Sequence, residues 1–113
     1  MILEFEELKT ALDATGIPFA ENGWDPKPDG DYGVYAIDFE GESLIGDDRK
    51  TDRCYEGSVD IYFYRLADKE RYVEAIEDAL TEICESGWQM NNDTHESGSG
   101  LFHIEWTFTV FGG

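Results

Sequence analysis

The segment LFHIEWTFTVF, residues 101–111, alternates without a break: Phe102, Ile104, Trp106, Phe108 and Val110 on one side, His103, Glu105, Thr107 and Thr109 on the other. A period of two is the pleat of a β-strand, whose successive side chains point to opposite faces. A helix of period 3.6 would scatter those aromatics around its circumference. One face of this strand is therefore apolar and wants cover. YEGSVDIYFYRL, residues 55–66, repeats the pattern, with Val59, Ile61 and Phe63 against Ser58, Asp60, Tyr62 and Tyr64. VYAIDFE, residues 34–40, is predicted to be another strand, with Tyr35, Ile37 and Phe39 sharing a face.

Two stretches switch to helical spacing. In FEELKTALDATG, Phe5, Leu8, Ala11, Leu12 and Thr15 fall on one stripe, and Glu4, Glu6 and Glu7 sit in the first turn, where the helix dipole favours negative charge. Gly16 and then Pro18 end it. In KERYVEAIEDALTEICES the stripe is Tyr72, Val73, Ile76, Ala79, Leu80 and Ile83, with acids opposite. Asp68 is placed to cap this second helix and Gly87 to end it. IPFAENGWDPKPDGDYG, with all three prolines, reads as a connecting loop. GESLIGDDRKTDRC reads as a charged hairpin extension with Leu44 and Ile45 as a short apolar patch. WQMNNDTHESGSG begins as a strand and becomes a polar loop, with SGSG as a flexible hairpin tip.

The expected fold is α+β over a single domain, residues 1–113. An antiparallel sheet of four to five strands carries two helices on one face, in the order α-β-β-β-α-β-β. The other face keeps Tyr62, Tyr64, Leu101 and Phe111, which a second partner would cover unless they are ordinary scattered surface groups.

Charge narrows the function classes. The chain has 26 Asp and Glu against 8 Lys and Arg, a formal charge of −18. Such a surface repels nucleic-acid backbones and anionic membranes. It suits a protein that lives beside DNA without sticking to it, one that imitates DNA, or a host that favours acidic surfaces. Disorder is not expected, because 3 Trp, 6 Tyr and 7 Phe fall on regular apolar periods. No apolar run reaches 18 residues, so no membrane span is expected. The opening MILEFEELKT lacks the basic and apolar regions of a secretory signal, and a cytoplasmic site of synthesis is expected. Cys54 and Cys84 are expected to be reduced there.

Tests for chemistry return little. DPKPDGDYG places Asp25, Asp29, Gly30 and Asp31 like a calcium loop, but Lys27 and Ala36 occupy positions that need oxygen ligands. His95 and His103 could approach each other across paired strands, but no third ligand is evident, so no metal or cofactor is expected. SGSG lacks the lysine of a phosphate loop. Neither histidine nor cysteine sits in a catalytic signature, and the chain is not expected to be an enzyme.

Three stretches carry a resemblance. The opening FEELKTALDATGIPFAEN, the central VDIYFYRLADKERYVEAIEDAL and the closing LFHIEWTFTVFG resemble the small tail-completion proteins of long-tailed phages and prophages, also known as tail terminators or head–tail joining proteins. The chain departs from them in its longer NNDTHESGSG loop and its acidity. The resemblance implies a virion protein, assembled in the host cytoplasm into a homo-oligomeric ring of six copies at the head-proximal end of the tail. Such a ring ends tube polymerisation, contacts the tail tube protein and the head connector proteins, and lets DNA pass through without binding it. It implies no catalytic residues.

A ring uses heterologous contacts, and an acidic subunit needs counter-charge for them. Arg49, Lys50 and Arg53 gather three of the eight cations in five positions. They are expected to face an acidic stripe of the neighbour's second helix, Glu70, Glu74, Glu77 and Asp78. Leu44, Ile45, Tyr62 and Tyr64 are the candidates for apolar burial. The alternative is a solvated loop whose cations Asp47, Asp48 and Asp52 neutralise locally. Competing functions are an acidic DNA-mimic inhibitor of a host DNA-binding protein and another minor tail or connector protein of similar fold.

Overall fold

A computed structural model describes the backbone of residues 3–41, 53–84 and 87–112, and the side chains of 6–37, 56–84 and 87–110. The elements run α1 (Leu3–Asp13), β1 (Phe19–Glu21), β2 (Tyr32–Gly41), β3 (Arg53–Phe63), α2 (Lys69–Cys84), β4 (Trp88–His95) and β5 (Phe102–Gly112). This is the expected α+β order. The five strands lie in the spatial order β1-β2-β3-β5-β4.

Both helices form where their apolar spacing demands. Leu8 and Leu12 of α1 are fully buried, as are Ile76 and Leu80 of α2. The first helix stops short of the expected Gly16, at Asp13. The chain then winds through a turn in which Gly16 adopts φ +89°, a left-handed conformation that glycine takes without penalty. Asp68 belongs to a single 3₁₀ turn, Leu66–Asp68, directly before α2. Its carboxylate accepts from Arg71 Nη2 at 2.9 Å.

The strands that alternate in sequence form the sheet centre. Val59, Ile61 and Phe63 of β3 pair with Trp106, Ile104 and Phe102 of β5. Cross-strand partners share a face, so these side chains make one continuous apolar surface. Tyr35 extends it onto β2, opposite Val59. The helices cover this face, and Trp106, Phe63, Ile61, Ile104 and Val59 are completely buried beneath them. Truncating any one of the larger groups to Ala would cost about 2–5 kcal/mol.

The sheet is mixed rather than purely antiparallel. β1 lies inside the expected loop and pairs parallel with β2, Phe19 opposite Gly33. A three-residue strand is too short to show a period, and its apolar content is only Phe19 and Ala20. Gly33 is required there, because any Cβ would collide with the Phe19 ring. A register shift between Ile37 and Phe39 brings Phe39 opposite Glu56, off the alternation that groups it with Tyr35 and Ile37 in sequence. β4 extends as far as His95, deeper into the polar stretch than its composition indicates, because it borrows its pattern from β5. The turn Glu96–Gly100 then closes the β4–β5 hairpin, with Gly100 at φ +77°.

Candidate assembly surfaces

With the helices on one face, the other face of the sheet is left uncovered by the described residues. By register it carries Tyr32, Val34 and Ala36 of β2, Glu56, Ser58, Asp60 and Tyr62 of β3, and His103, Glu105, Thr107 and Thr109 of β5. None of these positions is Lys or Arg. Across it runs an aromatic ladder. Tyr32 stacks on Tyr62 with ring centroids 4.9 Å apart, and Tyr62 stacks on His103 at 4.4 Å, nearly parallel. The His103 Nε2 lies 2.7 Å from Asp60 Oδ2, and its Nδ1 is 3.9 Å from Glu96. Burial pushes the Tyr62 hydroxyl up to about 12, helped by the negative charge of Asp60 and, further off, Glu96 and Glu105. The face is thus acidic at fixed points and stiffened by stacked rings.

The sequence marks Tyr62 as an apolar anchor for a neighbour. Its ring is instead sandwiched within its own chain. Tyr64 lies just beyond the end of β3, is 48% exposed, and is held by its backbone N–H donating to Asp31 Oδ1 at 3.1 Å. Leu101 is buried and offers no surface. The Phe111 side chain, Leu44, Ile45, Arg49 and Lys50 lie outside the described residues. Arg53 opens β3 opposite Gly112, and its side chain also lies outside the described residues.

On the opposite side of the molecule a groove runs between α2 and β4. It is lined by Leu66, Lys69, Glu70, Val73, Glu74, Glu77, Asp78 and Met90, and its volume is about 570 Å³. All four acids expected on the outer stripe of the second helix border it. Three of them, Glu70, Glu74 and Asp78, are exposed or half-exposed on the rim. Glu77 turns inward, where its Oε2 accepts from the buried Trp106 indole at 3.0 Å. Lys69 Nζ sits 2.7 Å from Asp93 Oδ2 on β4, so the cation that lines the groove already has its partner. The apolar floor comes from Val73, from Leu66 at 63% exposure and from Met90 at 37%. Sequence reasoning missed Leu66 and Met90 as surface groups. Met90 continues the alternation of Trp88, so it reads as a core residue, and only its place on an edge strand leaves it bare.

The two histidines lie on opposite faces: His95 stacks on Phe102 at 4.1 Å, and His103 sits on the open face. Among the described residues no three His, Cys, Asp or Glu side chains gather as a metal site would require. Burial raises the Cys84 thiol to about 11, and its Sγ donates to the Leu80 carbonyl oxygen at 3.1 Å, so the protonated form is favoured at neutral pH.

No protein-family model matches the sequence, and no curated protein matches it. Among solved structures, a chain from the virion of the native gene transfer agent particle shares the fold, with a TM-score of 0.57. The likeness covers 95% of this chain and 89% of that one, at 15% sequence identity.

Proposed function

We propose that this chain is a structural virion protein that assembles as a ring at the head-proximal end of a phage-type tail, ends tube polymerisation there and joins tail to head. The observation that carries the reading is the fold, shared over nearly the whole chain with a component of a gene transfer agent virion. The tail-completion resemblance of the opening, central and closing stretches agrees with it. The physical properties of the two surfaces also support it. A sheet face bearing Glu56, Asp60 and Glu105 with no fixed cation repels phosphate, so DNA would slide past it rather than bind. The groove on the other side offers what a heterologous ring contact needs, a patch unlike the one that meets it. The role requires no catalysis and no cofactor.

The test is the native mass of the purified protein across a concentration series, with negative-stain images of the same samples. Closed rings are the expected result. A strict monomer that also fails to cap purified tail tubes would sink the proposal. The net charge of −18 gives a second reading some weight, an acidic mimic of DNA. That reading expects a monomer which captures a basic host DNA-binding protein at low salt and releases it at high salt.

A further inference from the structure

We infer that the groove between α2 and β4 receives the 42–53 segment of a second copy of this chain, an assignment that deepens the ring reading and rests on it. The groove sets the chemistry of its occupant. Its floor of Leu66, Val73 and Met90 takes apolar groups, and its rim of Glu70, Glu74 and Asp78 takes cations. Among the described residues no ion pair uses any of those three acids, and Lys69 is engaged by Asp93. Lys9 pairs with Asp13 at 3.1 Å and Arg71 with Asp68 at 2.9 Å, while Lys27 and Arg65 make no ion pair among the described residues. One stretch of sequence combines the two chemistries. Leu44 and Ile45 supply adjacent apolar groups, and the run Arg49–Arg53 has three cations against the carboxylate of Asp52, with Asp47 and Asp48 in the stretch between the two groups.

The dimensions agree. From Glu70 to Asp78 the helix rises about 12 Å at 1.5 Å per residue. From Ile45 to Arg49 an extended chain spans up to about 14 Å. A segment with Leu44 and Ile45 on the floor therefore brings its cations along the acidic rim. The contact joins different surfaces of two copies, so it propagates around a ring instead of closing a two-fold dimer. Each exposed ion pair adds little affinity, and the rim acts mainly by selecting register and partner.

Two experiments test this together. In the first, native mass is compared for the wild type, for R49E/K50E/R53E, for E70K/E74K/D78K, and for the combination of both sets. Either set alone should reduce the assembled fraction at least tenfold at fixed concentration, and the combination should restore it. In the second, a synthetic peptide of residues 42–53 is titrated into the protein, with the Met90 methyl signal followed by NMR. Met90 and Met1 are the only methionines, so the signal is readily assigned. A saturable shift of Met90, abolished by E70K/E74K/D78K, is expected. If the wild type forms rings that both charge-reversed sets leave intact, the groove assignment is wrong and the ring stands. If the peptide leaves Met90 unmoved at millimolar concentration in the R49E/K50E/R53E protein, whose groove no neighbour fills, the assignment fails. If the peptide shifts Met90 in a protein that never assembles, the groove has its occupant and the ring reading fails.

Discussion

Asp31 uses both of its carboxylate oxygens. Oδ2 accepts from the Tyr72 hydroxyl at 2.5 Å and Oδ1 from the Tyr64 backbone N–H at 3.1 Å, so one side chain ties the long loop before β2 to α2 and to the end of β3. Replacing Asp31 with Ala leaves a largely buried hydroxyl without its acceptor, and a loss of about 1–3 kcal/mol is expected from denaturant unfolding. Tyr62 makes a different expectation, in pH. Its ordinary value is 10.0 and the folded state raises it to about 12, so folded protein holds this proton more tightly than the unfolded chain does. That stabilisation is complete below pH 10 and is lost as pH rises through 12. Tyr32, Tyr35 and Tyr72 are raised too, chiefly by burial, and act in the same direction. Denaturation midpoints should therefore fall steeply across this alkaline window, and Tyr62→Phe should flatten part of the fall. A Tyr62→Phe profile that overlays the wild type would refute the assignment. Cys84 offers a simpler check: iodoacetamide at about pH 8 should label it only after unfolding, as read by peptide mass mapping.

At the scale of elements, β2, β3 and the ring of Phe108 approach one another closely. A Cβ on Gly57 would strike the Ala36 carbonyl oxygen and the Phe108 side chain. Backbone cannot yield as a flexible side chain does, so Gly57→Ala should destabilise the protein by about 1–3 kcal/mol, as read by denaturant unfolding. A variant as stable as the wild type would mean that the strands part more easily than this geometry implies. β4 is an edge strand, and edges invite unwanted pairing. This one is blunted by a register shift between Met90 and Asn92 and by polar side chains along Asn91–His95. The ordering of the strands has its own consequence. β3 and β4 both run antiparallel to β5, and α2 crosses between them over the apolar face, which brings Met90 beside Val73 and opens the groove.

Across the whole molecule, the strongest influence outside the core is self-repulsion. With −18 on 113 residues, the compact state concentrates charge that the unfolded chain spreads out. Added salt screens that repulsion, and at about 0.1 M the screening length is near 10 Å, less than the width of the molecule. The melting temperature should rise as sodium chloride increases from about 20 to about 500 mM. A falling melting temperature would show that local pairs such as Lys69–Asp93 outweigh the net charge. Any ring of such subunits should likewise assemble better at moderate salt than at very low salt, until the groove contacts themselves are screened.

The alternation of residues 55–63 and 102–110 and the helical stripes of α1 and α2 are legible from periodicity, because each is a run long enough to repeat and each buries one face. The α+β class and the alternation of helices with strands follow from those runs. β1 is not legible, since three residues carry no period and the strand exists only by pairing with β2. The register shift that sets Phe39 opposite Glu56 is a property of two strands together, invisible in either. The acids of α2 stand out as one group in sequence. That Glu77 turns in to Trp106, while its neighbours border an apolar floor of Leu66, Val73 and Met90, depends on where α2 lies against β4. Local spacing dictates which side of an element is apolar, whereas the assembly surfaces are made by side chains far apart in the chain. Their positions are set by how the elements pack.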